Sequence, residues 1–313
     1  MPRAPDLPLE SVMIDGPEGQ LHVMRSVGPA PAERPPLLFA HGFPDSWRTW
    51  IRQLEGLGRD RPVAAFDLRG AGRSAPPADT AGFAIERVLP DFIAVIDALV
   101  GPTGTVHLVA HDWGGALAWA LVSDPAYAAR IRSLSVIAGP HPDLFFAVLR
   151  DRLRSRRLAD LRFVADQLRR SWYMFAFQIP GLAEAMFRSD PLVTSIRAHR
   201  KGGVPRAEVE DHVDPETVLA DTTGTLGLYR QAFRDLVRGR RRRHLERPPR
   251  ITTPTLAIVP RQDMALSPQL YDNLPEHVDD LDLRYIDANH WAHAQCPELV
   301  NELIAAHVAA HDG

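Results

Sequence analysis

The sequence has little cysteine and no long hydrophobic run, and both absences restrict what the protein can be. Cys296 is the single cysteine among 313 residues, so no disulfide can form within the chain, and we expect a reducing compartment. No stretch of about 18 apolar residues occurs, and the N-terminus lacks the apolar segment of a signal peptide. We therefore expect a cytoplasmic protein without a membrane partner.

An excess of charge of one sign is also missing. The formal net charge is −3, with 36 basic and 39 acidic residues, which gives no electrostatic reason to expect a nucleic-acid partner. The short basic run from Arg240 to Arg243 is a local exception, but it has no interleaved aromatic residues on which bases could stack. A solvated surface segment explains this run better than nucleic-acid binding does.

Short apolar runs alternate with helical patterns from residue 36 to residue 138, which predicts a parallel sheet with helices on both faces. Between residues 140 and 246, leucine-spaced and arginine-rich segments predict helices without a buried strand. Strand patterns return at Thr255–Val259 and Leu281–Ile286. We therefore predict an α/β protein with a mostly parallel central sheet, divided into core residues 1–139, an inserted helical cap of residues 140–246 and core residues 247–313.

The stretch from Val106 to Ala116 predicts a buried strand, a sharp turn and a helix, with Asp112 at the turn and the small residues Gly114 and Gly115 behind it. This is the context of a nucleophile elbow, which holds a serine in most hydrolases. A carboxylate at this position would attack an alkyl carbon without help from a base and form an ester. The alternative is that Asp112 only caps the following helix.

An ester of this kind must be hydrolysed, which requires a base and donors for the developing oxyanion. His290 follows the last predicted strand, and an open α/β sheet places its site at the carboxyl ends of its strands. Asp263 follows the preceding strand and could orient this histidine, with Asp143 as the alternative. The backbone N–H groups of Phe43 and Trp113 are the candidate oxyanion donors.

Three motifs together resemble the α/β-hydrolase-fold epoxide hydrolases. They are His41-Gly42-Phe43-Pro44-Asp45-Ser46-Trp47, His111-Asp112-Trp113-Gly114-Gly115 and Asn289-His290-Trp291. The resemblance runs from about residue 10 to the C-terminus and includes the cap. It implies the α/β-hydrolase fold and the hydrolysis of an epoxide to a diol through an ester on Asp112, without a metal or a cofactor. Ala110 and Asn289 stand where glycine is usual, and neither departure removes a functional group.

In the epoxide hydrolases, two tyrosines of the cap hold the epoxide oxygen, and Tyr173 and Tyr229 match their positions. The chain has only 5 tyrosines, which gives weight to two of them falling in the matching segments. A phenol can hydrogen-bond the developing alkoxide and donate a proton to it. The alternative for both residues is aromatic packing in a core.

Apolar side chains surround Tyr173 in the sequence and predict a lipophilic substrate. We expect four residues of this segment, together with Trp113, to line the pocket: Trp172, Met174, Phe175 and Phe177. The expected partner is a small lipophilic epoxide. A homodimer is a possible assembly of the chain.

Related activities match the sequence less well. Haloalkane dehalogenases resemble the elbow but carry a halide-binding Asn where Phe43 stands. Fluoroacetate dehalogenases carry Arg at the positions of Trp113 and Ala116, where it grips a carboxylate. A serine esterase is excluded if Asp112 is the elbow residue, since no Gly-x-Ser-x-Gly motif occurs. A binding protein that keeps the fold without catalysis is the remaining alternative.

Overall fold

A computed structural model describes residues 6–27, 34–239 and 250–312. In these residues, strands form one sheet in the order β1-β2-β4-β3-β5-β6-β7-β8. The strands are Leu9–Gly16 (β1), Gly19–Ser26 (β2), Leu37–Ala40 (β3), Val63–Phe66 (β4), Val106–His111 (β5), Ile131–Ile137 (β6), Thr255–Pro260 (β7) and Leu281–Ile286 (β8). The β1-β2 and β2-β4 pairs are antiparallel, and every other neighbouring pair is parallel.

Helices pack on both faces of this sheet and also fill the chain between β6 and β7. The helices of the sheet domain are Ile51–Leu57 (α1), Ile85–Val100 (α2), Asp112–Ser123 (α3), Pro125–Ala128 (α4), Ala292–Gln295 (α13) and Pro297–Ala310 (α14). The helices between β6 and β7 are Pro142–Ser155 (α5), Leu158–Arg170 (α6), Trp172–Ala176 (α7), Leu182–Ser189 (α8), Pro191–Lys201 (α9), Val209–His212 (α10), Val218–Thr223 (α11) and Leu226–Val237 (α12). Residues 142–237 are called the insertion below.

The central strands are buried on both faces because successive side chains of a strand point to opposite sides. On β3, Leu38 and Ala40 pack in the core that contains the apolar faces of α2 and α3. Leu37 and Phe39 pack in a second core with side chains of α1 and α14. The predicted parallel sheet with helices on both faces is therefore confirmed.

The insertion is all helical in the part that the structure describes, as its arginine-rich and leucine-spaced sequence predicts. Its polar side chains contact the sheet domain at several points, including an ion pair of 2.7 Å between Glu208 and Arg52. The basic run Arg240–Arg243 lies outside the described residues. The exact division at residues 139 and 246 stays a prediction. No described helix has both the length and the apolar character needed to cross a membrane.

Candidate active site

Asp112 lies at a strained turn between β5 and α3. Its φ angle is +49°, in the left-handed region that costs energy for any residue with a side chain. The helix that follows starts close to β3, since a Cβ atom on Gly114 would lie only 2.4 Å from the carbonyl oxygen of Ala40. Glycine is therefore required behind the turn, and the backbone holds the Asp112 side chain at the carboxyl end of the sheet.

The carboxylate of Asp112 bonds to a neighbouring loop. Its Oδ1 atom accepts the backbone N–H of Phe43 at 2.8 Å, a contact that the helix-cap alternative does not predict. A Cβ atom on Gly42 would lie 2.4 Å from the Cβ atom of Asp112, so this loop approaches only because it carries glycine. Trp113 belongs to the first turn of α3, where backbone N–H groups have no acceptor within the helix. Of the two predicted oxyanion donors, Phe43 thus contacts the carboxylate directly, and Trp113 is the residue that follows Asp112 in the chain.

His290 follows β8 and connects two carboxylates. Its Nε2 atom lies 3.6 Å from Asp112 Oδ2, and its Nδ1 atom lies 2.8 Å from Asp263 Oδ2. The other oxygen of Asp263 accepts the backbone N–H groups of Ala265 and Leu266 at 2.7 and 3.0 Å. Because Asp263 is fixed in this way, it holds a proton on Nδ1 and turns Nε2 of the imidazole toward Asp112.

Asp112 and His290 shift each other's pKa. Burial alone would raise the pKa of Asp112, but the contact with His290 and its positive charge outweigh burial and hold this pKa below its ordinary value. Burial also opposes the charge on His290, but Asp263 and Asp112 outweigh it and raise the pKa of His290 to about 10. The resting site therefore pairs a carboxylate with an imidazolium.

The alternative orienter, Asp143, lies at the start of α5, where its backbone N–H donates to the His141 ring at 3.1 Å. The Nδ1 atom of His290 already meets Asp263, so the geometry favours Asp263. Asn289 is a residue whose part in the site the sequence reasoning missed. Its side-chain oxygen accepts the N–H groups of His290 and Met264 at 2.8 and 3.1 Å. It thus ties the loop of the histidine to the loop of its orienter.

Tyr173 on α7 and Tyr229 on α12 line the same cavity as Asp112 and Trp113. The cavity has a volume of about 120 Å³. The two phenol rings have their centroids 5.9 Å apart, and the ring of Tyr229 lies 4.9 Å from that of Trp113. Burial and the nearby charge of Asp112 raise the pKa of both tyrosines above the ordinary value, so both phenols carry their protons at neutral pH.

The remaining lining is apolar and only partly matches the predicted one. Met174 and Trp113 line the cavity, but Trp172 and Phe175 are 63% and 52% exposed and lie outside it. Phe177 is buried in a neighbouring aromatic cluster instead of facing the cavity. The predicted lining is corrected at these three positions. The reason is helical geometry, because successive residues of a helix point about 100° apart and α7 turns only part of its surface inward.

The cavity also has walls that sequence reasoning missed. Phe145 and Phe146 on α5 are the largest of these side chains, and their position just after the end of β6 was the available signal. The full set of further lining residues is Ile85, Ala116, Pro140, Pro142, Phe145, Phe146, Ala232, Leu236 and Leu266.

Comparison with known proteins identifies the family of the chain. A family model described as alpha/beta hydrolase fold matches residues 35–297. Epoxide hydrolase 4 of Mus musculus is 30% identical over 284 residues, which cover 87% of this chain and 72% of that protein. Probable oxidoreductase EphD of Mycobacterium tuberculosis is 29% identical over 294 residues, which cover 93% of this chain and 48% of EphD. The chain thus spans about half the length of that relative.

Solved structures share the fold. The epoxide hydrolase of Bacillus megaterium, crystallised with an inhibitor, is 24% identical with a TM-score of 0.74, and the match covers 95% of this chain and 100% of that one. A structure reported among novel epoxide hydrolases in metagenomes from hot environments is 26% identical with a TM-score of 0.73, and the match covers 96% and 99%. The chain therefore belongs to the α/β-hydrolase fold family, in its epoxide hydrolase-like branch.

Proposed function

We propose that this protein hydrolyses lipophilic epoxides to vicinal diols. The observation that carries the proposal is one cavity with Asp112 on the sheet side and Tyr173 and Tyr229 on the insertion side. A carboxylate supplies the nucleophile for an epoxide carbon, and two protonated phenols suit the oxygen that the ring opening releases.

In the first step, a carboxylate oxygen of Asp112 attacks an epoxide carbon. The bond between that carbon and the epoxide oxygen breaks, and its electron pair goes to the oxygen. One of the two phenols, Tyr173 or Tyr229, then donates its proton to the oxygen while the other donates a hydrogen bond. The products are a hydroxyalkyl ester on Asp112 and a tyrosinate.

In the second step, water hydrolyses the ester with His290 as base. Esterification removes the negative charge of Asp112, one of the charges that raise the pKa of His290, so the imidazolium can now lose its proton. The tyrosinate from the first step is the balancing acceptor for this proton. The neutral imidazole then deprotonates water, and the N–H groups of Phe43 and Trp113 stabilise the oxyanion. The acyl–oxygen bond breaks, and its electron pair goes to the departing alkoxide, which takes up the second proton of the attacking water. The diol leaves with an oxygen that came from Asp112, and the carboxylate and imidazolium are restored.

The lining of the cavity supports a lipophilic substrate. Among the described residues that line it, Asp112 is the only one with an ionised side chain. An anionic epoxide would meet this carboxylate without a compensating cation in the cavity wall. We therefore expect aryl and alkyl oxiranes to be the preferred class, with carboxylate-bearing epoxides disfavoured.

The test is a panel of aryl, alkyl and anionic epoxides assayed for diol formation, with haloalkanes as the competing substrate class. A single turnover in ¹⁸O-water should place the label in Asp112 and leave the diol unlabelled. The variant Asp112→Ala should lose turnover while keeping the circular dichroism spectrum of the parent. Label found directly in the diol would overturn the ester mechanism, and equal rates on haloalkanes would overturn the choice of substrate.

A further inference from the structure

We propose that the insertion also positions the catalytic base, through the end of α9. Residues 199–202, called the α9 end, lie against residues 287–291, called the base loop because they carry His290. The role of His290 as a base rests on the proposed function, whereas the contacts around it are those of the structure. His199 is the positioning residue in this arrangement, since it acts on His290 through other groups.

Two hydrogen bonds to backbone carbonyls join the α9 end to the base loop. The N–H of Trp291 donates to the carbonyl oxygen of Gly202 at 3.1 Å, and the side-chain amide of Asn289 donates to the carbonyl oxygen of Lys201 at 3.3 Å. A Cβ atom on Gly202 would lie 1.9 Å from the indole ring of Trp291. The ring therefore packs directly on a glycine backbone, which leaves no room for displacement in that direction.

His199 adds a buried ionic link. Its Nδ1 atom lies 2.9 Å from the carbonyl oxygen of Ser195, and its Nε2 atom lies 2.6 Å from Asp45 Oδ1. The ring is thus held between its own helix and the sheet domain by a contact at each nitrogen. The other oxygen of Asp45 accepts the indole N–H of Trp291 at 2.9 Å. A chain of buried contacts thus runs from the insertion, through Asp45 on the sheet domain, to the residue next to His290.

Asp45 acts on His290 from a second side as well. Its Oδ2 atom lies 3.7 Å from Nδ1 of His111, and Nε2 of His111 contacts the carbonyl oxygen of His290 at 3.1 Å. Burial would raise the pKa of Asp45, but the charge of His199 and the contacts with both histidines hold it well below the ordinary value. A buried carboxylate that loses a charged partner is strongly destabilised, so its remaining contacts must change. For Asp45 these contacts are with Trp291 and His111, and we expect both side chains to move.

A change in this link should affect one chemical step, the hydrolysis of the ester. The hydrolytic step depends on where Nε2 of His290 lies, and a displacement of about 1 Å in such a group can cost about a hundredfold in rate. Tyr173 and Tyr229 pack in an aromatic cluster with Phe43, which is separate from the cluster that contains Trp291. Loosening the link should therefore slow hydrolysis of the ester and leave its formation almost unchanged.

The test compares His199→Gln with the parent by rapid quench and mass spectrometry of the ester on Asp112. Glutamine can still donate a hydrogen bond to Asp45 but carries no charge. We expect ester hydrolysis to slow by about ten- to a hundredfold, while ester formation stays within about twofold. Gly202→Ala disturbs the same contact from the Trp291 side without changing a charge, and it should also slow hydrolysis selectively.

The matched control is Glu208→Gln. Glu208 also belongs to the insertion and also links it to the sheet domain, through an ion pair with Arg52 at 2.7 Å that includes neither Asp45 nor the base loop. Both steps should stay within about twofold of the parent in this variant. A rise in KM with slower ester formation in His199→Gln and Glu208→Gln alike would mean that the insertion has merely loosened, and would overturn the proposal.

A second readout separates this proposal from the proposed function. The proton on Nδ1 of His290, bonded to Asp263 at 2.8 Å, should give a downfield resonance in proton NMR spectra recorded without substrate. This resonance should shift in His199→Gln and in Gly202→Ala and stay in place in Glu208→Gln. Such shifts in a protein that opens no epoxide would support the positioning and refute the activity. An unchanged resonance in His199→Gln would refute the positioning whatever the substrate is.

Discussion

The sheet domain and the insertion hold their functional side chains in different ways. Asp112, His290 and Asp263 lie on turns that follow parallel strands, so the backbone pairing of β5, β7 and β8 places them. Tyr173 and Tyr229 lie on separate helices and are placed by aromatic packing, including an edge-to-face contact between Tyr229 and Phe43 with centroids 5.3 Å apart. One half of the site is fixed by hydrogen-bonded main chain and the other by side-chain shape.

This difference corresponds to a division of the proposed chemistry. Ester formation requires both halves, because the carboxylate comes from the sheet domain and the acid comes from the insertion. Hydrolysis of the ester uses His290, Asp263 and the backbone donors of the sheet domain, and from the insertion it uses only the tyrosinate that takes up the proton of His290. Variants in the two halves should therefore act mainly on different steps. Apart from the proton that the tyrosinate takes up, the α9 end is where we expect the insertion to influence the second step.

The largest expected effect among variants that break this division is that of His290→Gln. Hydrolysis should slow by about 10²- to 10⁴-fold, the range for loss of a general base, while the ester still forms because alkylation needs no base. Mass spectrometry after mixing with an epoxide should show the adduct on Asp112 at nearly one equivalent. His107→Gln is the control, since His107 is buried in β5 and bonded to Ser133 at 2.8 Å. An absence of adduct in His290→Gln would show that the histidine already acts in the first step.

A smaller effect is expected from Tyr173→Phe and Tyr229→Phe. Each should slow ester formation by about 10- to 10³-fold, because each removes one donor to the departing oxygen, and the double variant should lose more than either. Rapid-quench rates of ester formation measure this directly. Tyr285→Phe is the matched control, since Tyr285 lies on β8 beside Arg261 and away from the cavity. A double variant that opens epoxides at the parent rate would show that the insertion takes no part in the ring opening.

The sheet half could be predicted from the sequence because its signals are local. The bounds predicted for β8 are those observed, and Gly114 marks the turn that places Asp112. His290 and Asp263 could be chosen because residues that follow parallel strands meet at one edge of the sheet. Their distances to one another, and the part of Asn289 between their two loops, depend on tertiary contacts that no spacing in the chain encodes.

The insertion half could be predicted only as helices. Tyr173 and Tyr229 are 56 residues apart and were identified only by resemblance to a family. No periodic pattern in a sequence predicts that two separate helices will lie over the same part of a sheet. The orientation of α7 was the weakest point. An aromatic segment of five residues has no clear polar face, so Trp172 and Phe175 could not be distinguished from Met174. The link from His199 to Asp45 spans 154 residues and has no sequence signal at all.

The smallest expected effect is that of Trp172→Ser. This variant tests whether Trp172 belongs to the outer surface of the insertion and not to the wall of the cavity. Trp172→Ser removes a large side chain that is 63% exposed, so the free energy of unfolding should change by no more than about 0.5 kcal/mol and kcat/KM by less than about twofold. Met174→Ser, two residues along the same helix, places a hydroxyl in the apolar wall and should raise KM for alkyl and aryl epoxides. Urea unfolding and steady-state kinetics on both variants measure the contrast. A tenfold loss of kcat/KM in Trp172→Ser would mean that this exposed indole binds substrate, and that the cavity extends further along α7 than its lining residues indicate.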